Sequence, residues 1–95
     1  MVSAVADEVY SITKDASVIA FLKEQAASVR EKLIDAIDAL QFAPYPAGCT
    51  RGMVRKNFEV TRFVVDTSPR LQLAYSVDSD GKNVWVISIM ELRFS

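Results

Sequence analysis

The sequence has no histidine, a single cysteine, and only three glycines and three prolines among its 95 residues. Without histidine there is no imidazole to act as general base near neutral pH, to ligate haem or to complete most zinc sites. Cys49 alone allows no internal disulfide, so a reducing compartment is expected. Few glycines and prolines exclude collagen-like and linker-rich chains. No apolar run approaches the roughly 20 residues that cross a bilayer. The opening Met1-Val2-Ser3-Ala4-Val5-Ala6-Asp7-Glu8 lacks a basic segment and meets carboxylates early, so no signal peptide is expected. A cytoplasmic protein with no cofactor and no membrane partner is the reading these absences leave.

What is present is globular in balance: 51% hydrophobic and 24% charged residues argue against disorder. The length suits one domain, residues 1–95, with a thin core, since such a chain buries roughly 60–65% of its extended surface. The net charge of −1 hides an asymmetry. Residues 1–48 carry seven acids and four bases, whereas residues 49–95 carry seven bases and five acids. The steepest stretch sets Arg51, Arg55, Lys56, Arg62 and Arg70 against Glu59 and Asp66, a local excess that could attract phosphate or be a solvated edge.

Pro44-Tyr45-Pro46-Ala47-Gly48 divides the chain into a helical half and a strand half. Leu22, Ala26, Val29, Leu33, Ala36 and Leu40 recur at helical spacing, broadened by Ile19 and Ile37. Asp15 or Ser17 can cap a first helix, about 16–25, and Ser28 with Glu31 fits a capping box for a second, about 28–42. Periodicity alone also allows one long helix, and two are favoured because about 27 residues is long for so small a domain. The apolar stripe serves as core beneath a sheet; a coiled-coil seam in a homodimer is the alternative.

Strands are expected at 58–65, 71–78 and 84–90, with a short fourth at 8–13. Alternation puts Leu71, Leu73, Tyr75 and Val77 on one face and Gln72, Ala74 and Ser76 on the other. Gly81 is expected to supply a positive φ in the turn Ser79-Asp80-Gly81-Lys82. The apolar run from Val84 to Met90 predicts a strand buried on both faces. Arg62, among Phe58, Val60 and Val64, must find a partner or open onto solvent. The fold class is α+β, with two N-terminal helices on one face of a 3–4-stranded antiparallel sheet.

The order of elements, the Pro-x-Pro-x-Gly break, and the strand pair Leu73-Ala74-Tyr75-Ser76-Val77-Asp78 and Val84-Trp85-Val86-Ile87-Ser88-Ile89 resemble the RelE/ParE toxin superfamily over roughly residues 8–92. The resemblance implies the toxin of a bacterial toxin–antitoxin pair, neutralised by a cognate antitoxin. Its target would be ribosome-bound mRNA, cut without a metal, or DNA gyrase. A diverged, non-catalytic interaction module with the same fold is the alternative. In the ribonuclease branch, basic side chains on the sheet and after the last strand stabilise charge at phosphorus and protonate the leaving 5′ oxygen. By that resemblance Arg62, Arg70 and Arg93 are the candidate catalytic residues, although Gln72 stands in place of the family's strand arginine and Met90-Glu91-Leu92 follows Ile89 where a base is usual.

Arg51, Arg55 and Lys56, in the long connection before residue 58, are candidates for RNA or partner binding, with Gln72 and Tyr75 on the following strand. Tyr75 also suits the core if its hydroxyl finds a partner, and Trp85 is either core or an exposed aromatic platform. Cys49 has no histidine to activate it as a nucleophile, and the Asp35/Asp38 and Asp78/Asp80 pairs are too few for a calcium loop.

Overall fold

The structure is a computed structural model and describes residues 9–92. Its elements are β1 (Ser11–Lys14), α1 (Ala16–Glu24), α2 (Ala27–Ala39), β2 (Thr50–Arg55), β3 (Phe58–Val65), β4 (Leu71–Asp78) and β5 (Asn83–Glu91). The strands form one sheet in the order β1-β5-β4-β3-β2. From β2 to β5 the chain is an antiparallel meander, and β1 lies at the far edge, parallel to β5.

The sheet is therefore five-stranded and mixed, which corrects the expectation of three or four antiparallel strands. Thr50-Arg51-Gly52-Met53-Val54-Arg55 has no apolar alternation and a glycine within it, so its strand state comes from pairing with β3 rather than from propensity. Arg51 and Arg55 consequently lie on an edge strand, not in a long loop. Lys56 and Asn57 form the two-residue turn between β2 and β3, with Asn57 supplying the left-handed conformation at φ 65. The parallel pair has a topological cause. After β1 the chain crosses the helix layer to the opposite edge, and the meander brings β5 back alongside β1 in the same direction.

The helical stripe is split in two. Asp15 caps α1, its carboxylate accepting from the Ser17 amide at 3.0 Å and the Ser17 hydroxyl at 2.7 Å. The Ser28–Glu31 capping box does not form; Ala26 is the N-cap of α2 and makes no side-chain bond. Arg30 instead holds the junction, donating from Nε to the Leu22 carbonyl at 3.1 Å and from Nη2 to the Gln25 carbonyl at 2.7 Å. Carbonyls at the end of α1 thereby gain a cationic donor, favourable at a helix C-terminus. Within α1 the buried positions are Val18 and Leu22, four residues apart, so Ile19 falls off the core side and is exposed.

Both helices cover one face of the sheet. Val18, Leu22, Leu33, Ile37 and Leu40 pack with Leu71, Leu73 and Tyr75 of β4 and Val84, Val86 and Ile89 of β5. Each such side chain contributes about 1.5–3 kcal/mol through burial. β5 is not buried on both faces as expected: Val84 and Val86 are inside, but Trp85 is 39% exposed and Met90 is exposed. In the β4–β5 turn the positive φ falls on Lys82 rather than Gly81. Gly81 matters for another reason: the Asp78 carboxylate accepts its amide at 3.1 Å, and a Cβ there would sit 2.6 Å from Oδ2.

Candidate functional site

The uncovered face of the sheet can be read row by row from the strand register. Thr50, Arg62, Ala74 and Ser88 stand opposite one another across β2, β3, β4 and β5. One pleat to one side lie Val64, Gln72 and Met90. One pleat to the other side, Gly52 pairs with Val60, and Ser76 pairs with Trp85, whose parallel neighbour is Thr13. Beyond these, Arg55 opposes Phe58. The face is thus small and polar at its centre, where Arg62 projects, with Arg55 at one end.

Arg62 is exposed, which answers the buried-charge problem by solvation. Gln72 shares its face as a diagonal neighbour, about 7–8 Å away. The Gln72 amide donates to Met90 Sδ at 3.7 Å, a weak bond that leaves its carbonyl oxygen available. Arg70 is exposed just before β4, where its carbonyl accepts from the Leu92 amide at 3.0 Å. It lies four residues from Ala74, the partner of Arg62, hence about 13 Å along the strand. Arg93 lies outside the described residues.

Arg51 belongs to the other side. Register places it opposite Thr61, and its guanidinium meets Glu59 at 3.1 Å and stacks over the Tyr45 ring at 4.0 Å. The hydrogen bond to Glu59 raises its pKa first of all. Tyr75 is fully buried among the helices, and its hydroxyl donates to the Pro44 carbonyl at 2.7 Å. Burial pushes its pKa well above the ordinary tyrosine value. Of the sequence-derived residues, Arg62, Gln72 and Arg55 therefore share the open face, whereas Arg51 and Tyr75 do not.

Sequence reasoning underweighted one feature of this face. Val54, Arg55, Lys56, Phe58 and Trp85 line a depression of about 490 Å³. The Phe58 and Trp85 rings meet across the intervening β4 with centroids 6.5 Å apart and planes tilted by 54°. Such a roof accounts for Val60, which is only 5% exposed on a face with no helix over it. The serine at 88 and the period of two from Val84 to Val86 were the available signals that β5 has a wet side. Among the described residues, no group of three or more cysteines or carboxylates could hold a metal ion, and no helix is long and apolar enough to cross a membrane.

No family model and no curated protein matches the sequence. Solved structures do match it. A chain of the archaeal RelE–RelB complex from Pyrococcus horikoshii superposes with a TM-score of 0.73 at 14% identity, covering 87% of this chain and 94% of that one. The isolated E. coli RelE toxin gives 0.72 at 22% identity, covering 90% and 87%. The toxin–antitoxin complex RelBE2 from Mycobacterium tuberculosis gives 0.63 at 11% identity, covering 88% and 99%. These superpositions span nearly nine-tenths of the chain, and the chain has the RelE toxin fold.

Proposed function

We propose that this chain is the toxin-like component of a bacterial toxin–antitoxin pair, directing its open sheet face at RNA and held in check by an antitoxin-like partner. The observation that carries the reading is the conjunction of a RelE fold over about nine-tenths of the chain with a helix-free face bearing Arg62 and Arg55. Arg62 can stabilise the charge that accumulates on phosphorus during metal-free cleavage. In that reading Arg62 serves as a fixed electrostatic group facing the phosphate. The partner has a surface suited to it on the helix side. Lys14, Ile19, Leu22, Lys23, Arg30 and Ile34 line a groove of about 370 Å³, combining apolar and cationic side chains with no carboxylate. An acidic, apolar segment fits that chemistry, and several RelE structures are complexes with RelB.

A second reading, a RelE-fold interaction module without catalysis, is favoured by Gln72, which is neutral, and by Tyr75, which is buried behind the sheet. Induced expression separates the two. Growth arrest with blocked translation supports the ribosome-directed ribonuclease, and arrest with DNA-damage signalling supports a gyrase target. Normal growth of cells that accumulate folded protein rejects the toxin and leaves the module.

A further inference from the structure

We propose that Phe58 and Trp85 form a ledge on which an unpaired nucleobase stacks, with Arg55 and Lys56 holding the flanking phosphates of a single-stranded nucleic acid. Trp85 is the chain's one tryptophan, and it stands 39% exposed on the face that no helix covers. The ring of Phe58 packs against it at 6.5 Å and thereby fixes its orientation. The depression these rings share with Val54, Arg55 and Lys56, about 490 Å³, lies within the roughly 300–1,000 Å³ typical of small-ligand sites. Aromatic faces bind bases with little regard to sequence, and neighbouring cations track the backbone.

Charge decides between a polynucleotide and an apolar protein segment as the occupant. The lining includes two cations and no carboxylate. Glu59 on β3 belongs to the opposite face and is paired with Arg51. Asp78, which follows Ser76 on the open face of β4, accepts from the Asp80 and Gly81 amides in the turn. Gly52 widens the approach, since a Cβ built there meets nothing within 4 Å. A polyanion with planar rings satisfies both halves of the site, whereas an apolar peptide leaves two cations facing it. This inference deepens the proposed function by naming which part of the same face holds a base, and it requires neither cleavage nor toxicity.

The test uses the full chain and the intrinsic fluorescence of Trp85. Short oligoadenylate RNA and the matching DNA should each be titrated, with inorganic polyphosphate and an acidic peptide as controls. Stacking quenches the tryptophan, so at least one oligonucleotide must quench at saturation while polyphosphate does not. The RNA and DNA arms report whether the sugar contributes. By anisotropy of the labelled oligonucleotide, Trp85→Ala should weaken binding roughly 5- to 100-fold, the loss of one stacked base. Gly52→Glu, which adds a carboxylate into empty space and keeps Trp85, should weaken it several-fold while circular dichroism stays unchanged. No oligonucleotide binding, equal quenching by polyphosphate, undiminished binding by Trp85→Ala, or quenching by the peptide alone would overturn the ledge. Growth arrest without quenching removes the ledge and keeps the toxin; quenching without growth arrest does the reverse.

Discussion

The Tyr75 hydroxyl donates to the Pro44 carbonyl across 2.7 Å, fastening the middle of β4 to the segment that leaves α2. Tyr75→Phe keeps the ring in the core and deletes this bond, so stability should fall by about 1 kcal/mol, read from urea unfolding. The alkaline behaviour should change as well. In the unfolded chain the phenol titrates near 10.0, whereas burial holds it protonated in the fold. Above that pH the unfolded state binds fewer protons, so this group's contribution makes stability fall as pH rises. The urea midpoint should therefore drop less steeply above a pH of about 10 in Tyr75→Phe than in the parent protein. Tyr45, also raised by burial, remains in both and contributes to the residual drop.

At the other end of the pH scale the informative residue is Asp15. Bonds from the Ser17 hydroxyl and then the Ser17 amide favour its ionised form and lower its pKa from 3.8. A carboxylate depressed in the fold stabilises it above the unfolded pKa and loses that contribution as pH falls through the folded one. Asp15→Asn retains an oxygen able to cap α1 but cannot titrate. Its melting temperature should lie closest to the parent's in strong acid and furthest below it at neutral pH. A constant difference across the acid range would show that the carboxylate's charge is irrelevant to the cap.

Much of this architecture was legible because certain stretches carry a pure period. Leu71, Leu73 and Tyr75 alternate without interruption, and all three are buried. Leu33, Ile37 and Leu40 likewise fall on the buried side of their helical segment. Legibility failed where a tertiary partner supplies what the local sequence lacks. β2 exists because β3 offers it a ladder, and the junction of α1 and α2 is held by Arg30 reaching back to Leu22 and Gln25 rather than by a local cap. The expectation of a β5 buried on both faces failed because a nearly continuous apolar run, interrupted only by Ser88, masks its alternation. The register of β5 also shifts between Ala74 and Tyr75 on its neighbour, so no single period of two runs through it. Residue type singled out Arg62, Arg55, Gln72, Arg51 and Tyr75 alike as candidates, and only the register puts the first three on one face and the other two behind it.

That separation is measurable. If the open face meets phosphates, Arg62→Ala should flatten the dependence of log affinity on log salt by about 0.7 for a single-stranded oligonucleotide, the value of one lost contact. Arg51→Ala removes an equal charge from the opposite side and should leave the slope unchanged. Arg62 stands exposed on the sheet, so its removal should shift stability by less than about 0.5 kcal/mol. Equal effects of the two substitutions would mean that net charge, and not the face, governs binding.

Thr61 offers a test of the packing beneath that face. It sits on β3 opposite Tyr75, on the helix-covered side, and is 1% exposed. Its hydroxyl oxygen is buried and has no hydrogen-bond partner among the described residues. A hydroxyl removed from water without compensation costs about 1–3 kcal/mol, while the equivalent methyl gains from burial. Valine matches the shape of threonine and is at least as favourable in a strand. Thr61→Val should therefore stabilise the fold by about 1 kcal/mol and raise the urea midpoint without changing the slope of unfolding. A lower midpoint would reveal an ordered water bonded to that hydroxyl, and would make the polar atom a working part of the interior.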